Sequence, residues 1–373
     1  MYFTYLIGAG ASAKAIPVVS DFKQKCKEWL ISQFVTLTHA AAFEGKIIEN
    51  DSMIYDSSSF KSADHENFYY KVVDFLEKLE GTHTVDAYAR EKYLDNKIDE
   101  YERVKVWIDF LICGLHYFPV RNPPIDNRYK LFFGQTLKGG NNEPAKLPTL
   151  IKILSWNYDL QFELAAAATF KEDFLWRIHN RLAISPKCFN PINEEYEHTG
   201  FEIVKLNGTA GGTIIKHGGK DQFTRETIYN LRYLVSDSLN RMTLENKFFD
   251  NFLSYYKNLE ANIGNYHYSK TALSYGWEIH SEFAKIARKR AEEIAEQTKV
   301  LVILGYSFPE FNKKIDKSIF QKMKPEKIYI QNIPSNIEYV KKRLIPLLPD
   351  KQIEIELIDS TNEFFIPYEY DEE

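Results

Sequence analysis

The sequence predicts an α/β fold, a Rossmann-like, doubly wound and mostly parallel sheet with large helical insertions. Six segments have the apolar, β-branched or aromatic character of strands: Tyr2–Ile7, Ile151–Trp156, Glu202–Leu206, Val300–Leu304, Lys327–Gln331 and Ile353–Ile358. They read as near-continuous apolar runs, the pattern of strands covered on both faces, and helical stretches separate them. The first strand runs directly into Gly8-Ala9-Gly10-Ala11-Ser12, a tight glycine turn placed where a helix would start.

The helical stretches follow from spacing. Phe68–Leu79 puts Val72, Phe75, Leu76 and Leu79 on one face, and Val104–Leu115 is apolar at similar intervals. Leu244–Leu259 continues the pattern, and the alternating charges of Glu282–Glu296 predict a helix with a solvated face. Pro119 to Pro148 holds five prolines and the run Gly139-Gly140-Asn141-Asn142, which predicts a loop returning the chain to the sheet. The resulting division is a sheet core over 1–38, 147–222 and 298–365. Helical insertions over 39–146 and 223–297 form a second, smaller layer, and 366–373 is an acidic tail whose Tyr368–Glu373 is expected to fray.

Composition narrows the function classes. The chain has 373 residues, 44% hydrophobic and 27% charged, ordinary values for a globular protein and contrary to disorder. A net charge of −5 supplies no global attraction to nucleic acid or anionic lipid, so neither partner is expected. The apolar run after Met1 lacks a basic lead and is broken by Gly8, and no stretch is long enough to span a membrane. Cys26, Cys113 and Cys188 are isolated, which gives neither a disulfide framework nor a zinc-binding pair, and a reducing cytoplasm fits best. No histidine pair has metal-ligand spacing, so no metal site is expected. Aromatics reach 15%, enough to fill a core with rings or to supply subunit interfaces.

The strand ends carry the candidate chemistry. A Gly-x-Gly turn lets backbone approach a phosphate at a helix N-terminus, but it serves equally as a structural turn, and the third glycine of the dinucleotide fingerprint is missing. Its partners follow at the ends of later strands, where open α/β sheets place their ligand crevice. They are Trp156-Asn157-Tyr158-Asp159, Lys205-Leu206-Asn207-Gly208, Gly305-Tyr306-Ser307-Phe308 and Asn332. Amides, hydroxyls and glycines in this arrangement suit ribose and phosphate without requiring positive charge. Each has a plainer reading as well: Asn157 a strand-end turn residue, Asp159 the cap of a helix over Leu160–Ala168, Ser12 a helix cap.

In their order, these motifs resemble the sirtuin-like superfamily, specifically the zinc-free bacterial branch found in anti-phage defence systems. Gly8-Ala9-Gly10-Ala11-Ser12 with Pro17 is similar to the family's cofactor loop, and Trp156-Asn157-Tyr158-Asp159 to the motif with its catalytic asparagine. Lys205-Leu206-Asn207-Gly208 stands where the family has Lys-Leu-His-Gly, while Gly305, Ser307 and Asn332 match elements that contact the adenosine half of the cofactor. The resemblance implies an NAD+ hydrolase that cuts the nicotinamide–ribose bond, with NAD+ as substrate. Asn157 would position ribose and water, Asp159 would steady the nicotinamide, and Asn207 would orient water. The cofactor loop is then Gly8, Ala9, Gly10, Ala11, Ser12 and Pro17, joined by Gly208.

Asn207 departs from the family, because an amide cannot act as a general base. Three explanations stand: an asparagine that only orients water, a displaced base such as His83, or a protein that binds NAD without cutting it. His179, His198 and His217 also flank the motifs, and each reads as an ordinary core or surface histidine. The missing cysteine pairs of the deacetylating sirtuins' zinc ribbon speak against protein deacetylation, and the missing third glycine and ribose-binding acid against ordinary dehydrogenation. The resemblance further implies activation by a partner, a HerA-type ATPase or a short Argonaute-like protein, or by homo-oligomerisation.

Overall fold

The computed structural model describes residues 2–17, 21–35, 60–79, 84–118, 125–139, 145–172, 175–187, 200–217, 220–224, 241–264, 270–278, 281–349 and 352–372. His83, His198 and Cys188 lie outside them. In chain order the strands are β1 (Tyr2–Ile7), β2 (Ile151–Ser155), β3 (Ile184–Ser185), β4 (Glu202–Lys205), β5 (Gly208–His217), β6 (Lys220–Thr224), β7 (Lys270–Leu273), β8 (Thr298–Leu304), β9 (Lys327–Gln331) and β10 (Glu354–Ile358). The helices are α1 (Phe22–Phe34), α2 (Ala63–Lys78), α3 (Val85–Leu94), α4 (Ile98–Tyr117), α5 (Asn127–Thr136), α6 (Gln161–Phe170), α7 (Leu175–Arg181), α8 (Arg241–Ala261), α9 (Glu282–Ala295), α10 (Lys313–Lys322) and α11 (Pro334–Leu344).

Seven strands form one parallel sheet in the order β10-β9-β8-β1-β2-β4-β3. All six expected strands are in it, within a residue or two of their expected ends. From β1 the chain winds outward through β2 and β4, then returns to β8 on the other side of β1 and winds the opposite way. That reversal makes the C-terminal ends of β1 and β8 the switch point at which open parallel sheets offer a ligand crevice.

Side-chain alternation covers both faces. Phe3, Tyr5 and Ile7 of β1 join Ile153, Ile203, Val302 and Tyr329 against Phe132 and Phe133 of α5 and Phe162 and Leu164 of α6. Leu6, Leu154, Val204, Leu301 and Ile330 face the other way onto Ala287, Ala291 and Ile294 of α9 and Ile319 and Phe320 of α10. Small alanines every three to four residues let α9 lie close to the sheet. Its charged face is not wholly solvated, since Arg290 reaches Glu202 of β4 through two hydrogen bonds of 2.8 Å.

A separate core unites α1, α2, α3, α4 and α8 around Trp29, Phe34, Phe68, Phe110, Phe252 and Tyr256. The predicted helical faces there are correct, with Val72, Phe75 and Leu76 buried. Caps fix the helix starts: Ser62 accepts from the His65 N–H at 3.2 Å and Thr84 from that of Ala87 at 3.1 Å.

Three expectations are corrected. The segment from Pro119 to Pro148 is not all loop, because α5 forms inside it, capped by Asp126, which accepts from the Arg128 N–H at 3.0 Å. A second, antiparallel sheet in the order β6-β5-β7 stands where only turns and helices were read. The tail is docked, not frayed: Tyr370 is buried with its ring 5.5 Å from Phe3, and Glu369 accepts from the Tyr329 hydroxyl at 2.9 Å.

Candidate functional site

The glycine loop and the loop after β8 are pressed together at the switch point. A β-carbon on Gly8 would lie 2.7 Å from the Tyr306 Cα, and one on Gly10 would lie 2.9 Å from the Gly305 carbonyl oxygen. Gly305 itself adopts φ +57°, a left-handed conformation that glycine accepts freely. Backbone hydrogen bonds seal the contact, Gly8 N–H to the Leu304 carbonyl and Gly10 N–H to the Gly305 carbonyl, each at 3.0 Å. The turn leads into a short 3-10 turn over Ala9–Ser12, not into an α-helix, which begins only at Phe22. The helix-start reading of this loop is therefore corrected, because two of its amides are spent on the neighbouring strand-end loop. Ser12 is no helix cap either.

Asn157 ties the second strand to this loop. Its Nδ2 donates to the Gly8 carbonyl at 3.0 Å and to the Ser12 Oγ at 3.2 Å, while Ser12 and Tyr129 share a hydrogen bond of 2.7 Å. Arg128 closes the far side, donating to the Ala11 carbonyl at 2.9 Å and to Asp126 Oδ2 at 2.6 Å. Sequence reading missed Arg128 and Tyr129, which stand 117 residues from the loop they hold.

Asp159 is buried beside this group, its Oδ1 accepting from the Gln161 N–H at 3.1 Å. The N-cap of α6 is Leu160, which makes no side-chain cap bond, so Asp159 stands one residue before the cap and not at the cap position expected for it. Lys205 of β4 donates from Nζ to the Asp159 carbonyl at 2.6 Å and pairs with Glu163 at 3.3 Å, which locks the ends of β2 and β4 together. His179 stands 3.5 Å from the same Glu163, behind the strand ends, and His217 ends β5. His116 of α4, unremarked in the sequence, accepts from the Leu160 N–H at Nε2 and so helps set the start of α6.

Asn207 is 5% exposed, and among the described residues its Oδ1 has no hydrogen-bond partner. Burial raises the phenol of the neighbouring Tyr158, and the charge of Asp86 of α3 acts in the same direction. Burial pushes the Asp86 carboxyl up to about 6. Gly208 begins β5 with φ +77° and is packed against the Ala272 carbonyl of β7, so its glycine character is explained by that strand pairing.

The loop after β8 turns Tyr306 inward. Its ring stacks on Trp156 with centroids 6.1 Å apart, and its hydroxyl donates to Asp316 at 2.8 Å. Burial pushes Asp316 up to about 8. Ser307 is exposed at the rim, Asn332 is half-buried with Oδ1 accepting from its neighbour's N–H at 2.8 Å, Ala9 is exposed and Pro17 buried. Gly8, Gly10, Gly305, Asn157, Asp159 and Asn207 thus gather around the ends of β1, β2, β4 and β8, with Asn332 just past the end of β9, the next strand out from β8. Among the described residues no group of three histidine, cysteine or acidic side chains could hold a metal, and no helix is long and apolar enough to cross a membrane. Cys26 and Cys113 are buried, and burial raises both thiols, the condition of inert structural cysteines.

No family model matches the chain, and no curated protein matches it. Solved structures do. Sir2Tm bound to a propionylated peptide aligns with 96% of this chain and 87% of that one, at 11% identity and a TM-score of 0.36. A Sir2 variant with a deacetylated p53 peptide and 3'-O-acetyl ADP-ribose aligns with 58% of this chain and 65% of that one, at 10% identity and a TM-score of 0.27. The chain spans less than two thirds of the length of that second relative. The α/β class itself rests on the order and register of the seven parallel strands.

Proposed function

We propose that the protein is an NAD+ hydrolase of sirtuin-like type, acting in the cytoplasm as the effector of a bacterial anti-phage defence system. The observation that carries the proposal is the linkage made by Asn157, which joins the end of β2 to the glycine loop of β1 at the switch point, with Asp159 and Asn207 beside it. In the reaction, the bond between nicotinamide nitrogen and ribose C1' breaks through an oxocarbenium-like state. Water adds at C1', nicotinamide leaves with the bonding pair, and one proton is released. Asn157 would hold ribose and water in line, Asp159 would face the nicotinamide side, and Asn207 would orient the attacking water. The two glycine loops, with Ser12, Ser307 and Asn332, would take the remainder of the dinucleotide.

Gating follows from the chemistry, since unrestrained NAD cleavage would harm the host cell. A HerA-type ATPase, a short Argonaute-like protein or self-assembly would supply the activating contact. Nicotinamide release from NAD, followed by chromatography for the purified chain alone and with its partner, tests the reading. Release in either state supports it, and binding without release in both states overturns it.

A second reading, an NAD or ADP-ribose sensor without catalysis, is favoured by two features: Asn207 cannot take a proton, and the Gly8 and Gly10 amides are already engaged. Calorimetry with NAD and ADP-ribose on the parent and on Asn207→His separates the two. An inactive parent made active by the histidine supports the sensor reading.

A further inference from the structure

The first turn of α5 grips two successive residues of the glycine loop. Arg128 donates to the Ala11 carbonyl at 2.9 Å, and the next residue, Tyr129, shares a hydrogen bond of 2.7 Å with the Ser12 Oγ. Tyr129 is buried, and its ring meets Phe162 of α6 and Phe364 edge to face, with centroids 4.7 Å and 4.8 Å away. Packed on both sides in this way, the phenol is a fixed point against which the Ser12 side chain is set.

Counting hydrogens fixes how Asn157 faces this pair. The Gly8 carbonyl can only accept, so the atom that meets it at 3.0 Å must be the Asn157 Nδ2 and not Oδ1. The second Nδ2 hydrogen goes to the Ser12 Oγ at 3.2 Å. Both amide hydrogens are then spent within the protein, and Oδ1, which takes no part in either bond, is the end of the amide left for a ligand.

Ser12 Oγ is thereby an acceptor toward Asn157, and its remaining bond is the one to Tyr129. The phenol is the more acidic of the two hydroxyls and donates, so Ser12 Oγ receives both bonds. Burial raises the Tyr129 phenol, so it keeps its proton throughout the physiological range. A serine held by Asn157 alone could turn among its staggered rotamers, and the bond to Tyr129 removes that freedom.

We propose that Tyr129 is a positioning residue of the crevice: through Ser12 it holds the Asn157 amide with both hydrogens turned to the glycine loop, so that Asn157 meets a bound dinucleotide as an acceptor only, taking a hydrogen bond from a ribose hydroxyl. The proposal rests on the reading of this crevice as an NAD site and adds to it a residue from outside the strand-end motifs. It also narrows what Asn157 can recognise. A phosphate oxygen, which can only accept, is no partner for Oδ1, whereas a ribose hydroxyl is.

The first test needs no ligand. In the full chain labelled with ¹⁵N-asparagine, the Asn157 side-chain amide is identified by its disappearance in Asn157→Gln. Tyr129→Phe removes one oxygen and keeps the ring packing, and in it the amide proton facing Ser12 should move upfield while the one facing Gly8 stays. Ser12→Ala should move the same proton further. Amide protons unchanged in both variants, or moved equally in Tyr129→Phe, overturn the proposal.

Calorimetry with ADP-ribose and ADP then separates positioning from general damage, because the two share the adenosine diphosphate and only ADP-ribose carries the second ribose. Tyr129→Phe should weaken ADP-ribose about tenfold and leave ADP within about twofold, the scale of one misplaced hydrogen bond. Equal weakening of both ligands, or of neither, overturns the proposal. Binding of neither ligand by the wild type would overturn the NAD reading of the crevice, while the amide protons still decide the link from Tyr129 to Asn157.

Discussion

Gly305 and Gly10 meet backbone to backbone: the Gly10 N–H donates to the Gly305 carbonyl at 3.0 Å, and a β-carbon on Gly305 would lie 2.5 Å from the Gly10 carbonyl carbon. Neither side of that contact is a flexible side chain that could swing away. Gly305→Ala therefore combines a left-handed backbone with a steric collision, and the expected loss is about 2–4 kcal/mol of stability. Urea midpoints of the variant and the wild type measure it, and a difference below about 0.5 kcal/mol would show that the two loops can part.

Asn157→Ala removes two donated hydrogen bonds, to Gly8 and to Ser12, and leaves the Gly8 carbonyl without that donor. The expected stability loss is about 1–3 kcal/mol. Nicotinamide release should fall by at least about 100-fold, as when a preorganised donor is removed from a transition state. Steady-state release at saturating NAD reads this second effect, and full turnover in the variant would remove Asn157 from the chemistry.

The parts of the fold legible in the sequence are those whose signal is local. The seven-stranded sheet could be read from β1, β2, β4, β8 and β9 because strands buried on both faces are largely apolar, and the partly exposed edge strand β10 from its Ile355, Leu357 and Ile358. β5 escaped because Gly208-Thr209-Ala210-Gly211-Gly212 has the composition of a turn, and its strand character comes from pairing with β7. α5 escaped because flanking prolines and glycines outweighed ten residues of helix. In the site, the strand-end residues were readable from their place after apolar runs. Tyr129 and Arg128 were not, since their roles come from contacts across the chain and no local pattern marks them.

Arg128 illustrates a buried pair acting at a distance in sequence. It is 6% exposed and Asp126 1%, and together they brace the Ala11 carbonyl. Arg128→Met should cost about 3–5 kcal/mol, because Asp126 is left charged and buried without its partner. The double variant Asp126→Asn, Arg128→Met should recover much of that loss by removing the stranded charge. Urea unfolding of the two variants decides it, and equal losses would mean that the clamp on Ala11, not the uncompensated carboxylate, sets the cost.

Asp316 predicts a pH dependence of stability with a definite sign. Burial raises its carboxyl from the ordinary value of 3.8 to about 8, so between those limits the folded state binds more protons than the unfolded state. Stability contributed by this group is therefore fully present below about pH 4, declines as pH rises, and is gone above about 8. Each tenfold preference for the protonated form is about 1.4 kcal/mol. Asp316→Asn keeps an oxygen to accept from the Tyr306 hydroxyl and cannot ionise. The variant should match the wild type near pH 4.5 and exceed it by at least about 2 kcal/mol at pH 9. Chemical unfolding at the two pH values measures the gap, and a constant difference between the proteins would show that Asp316 titrates at its ordinary value in the folded chain.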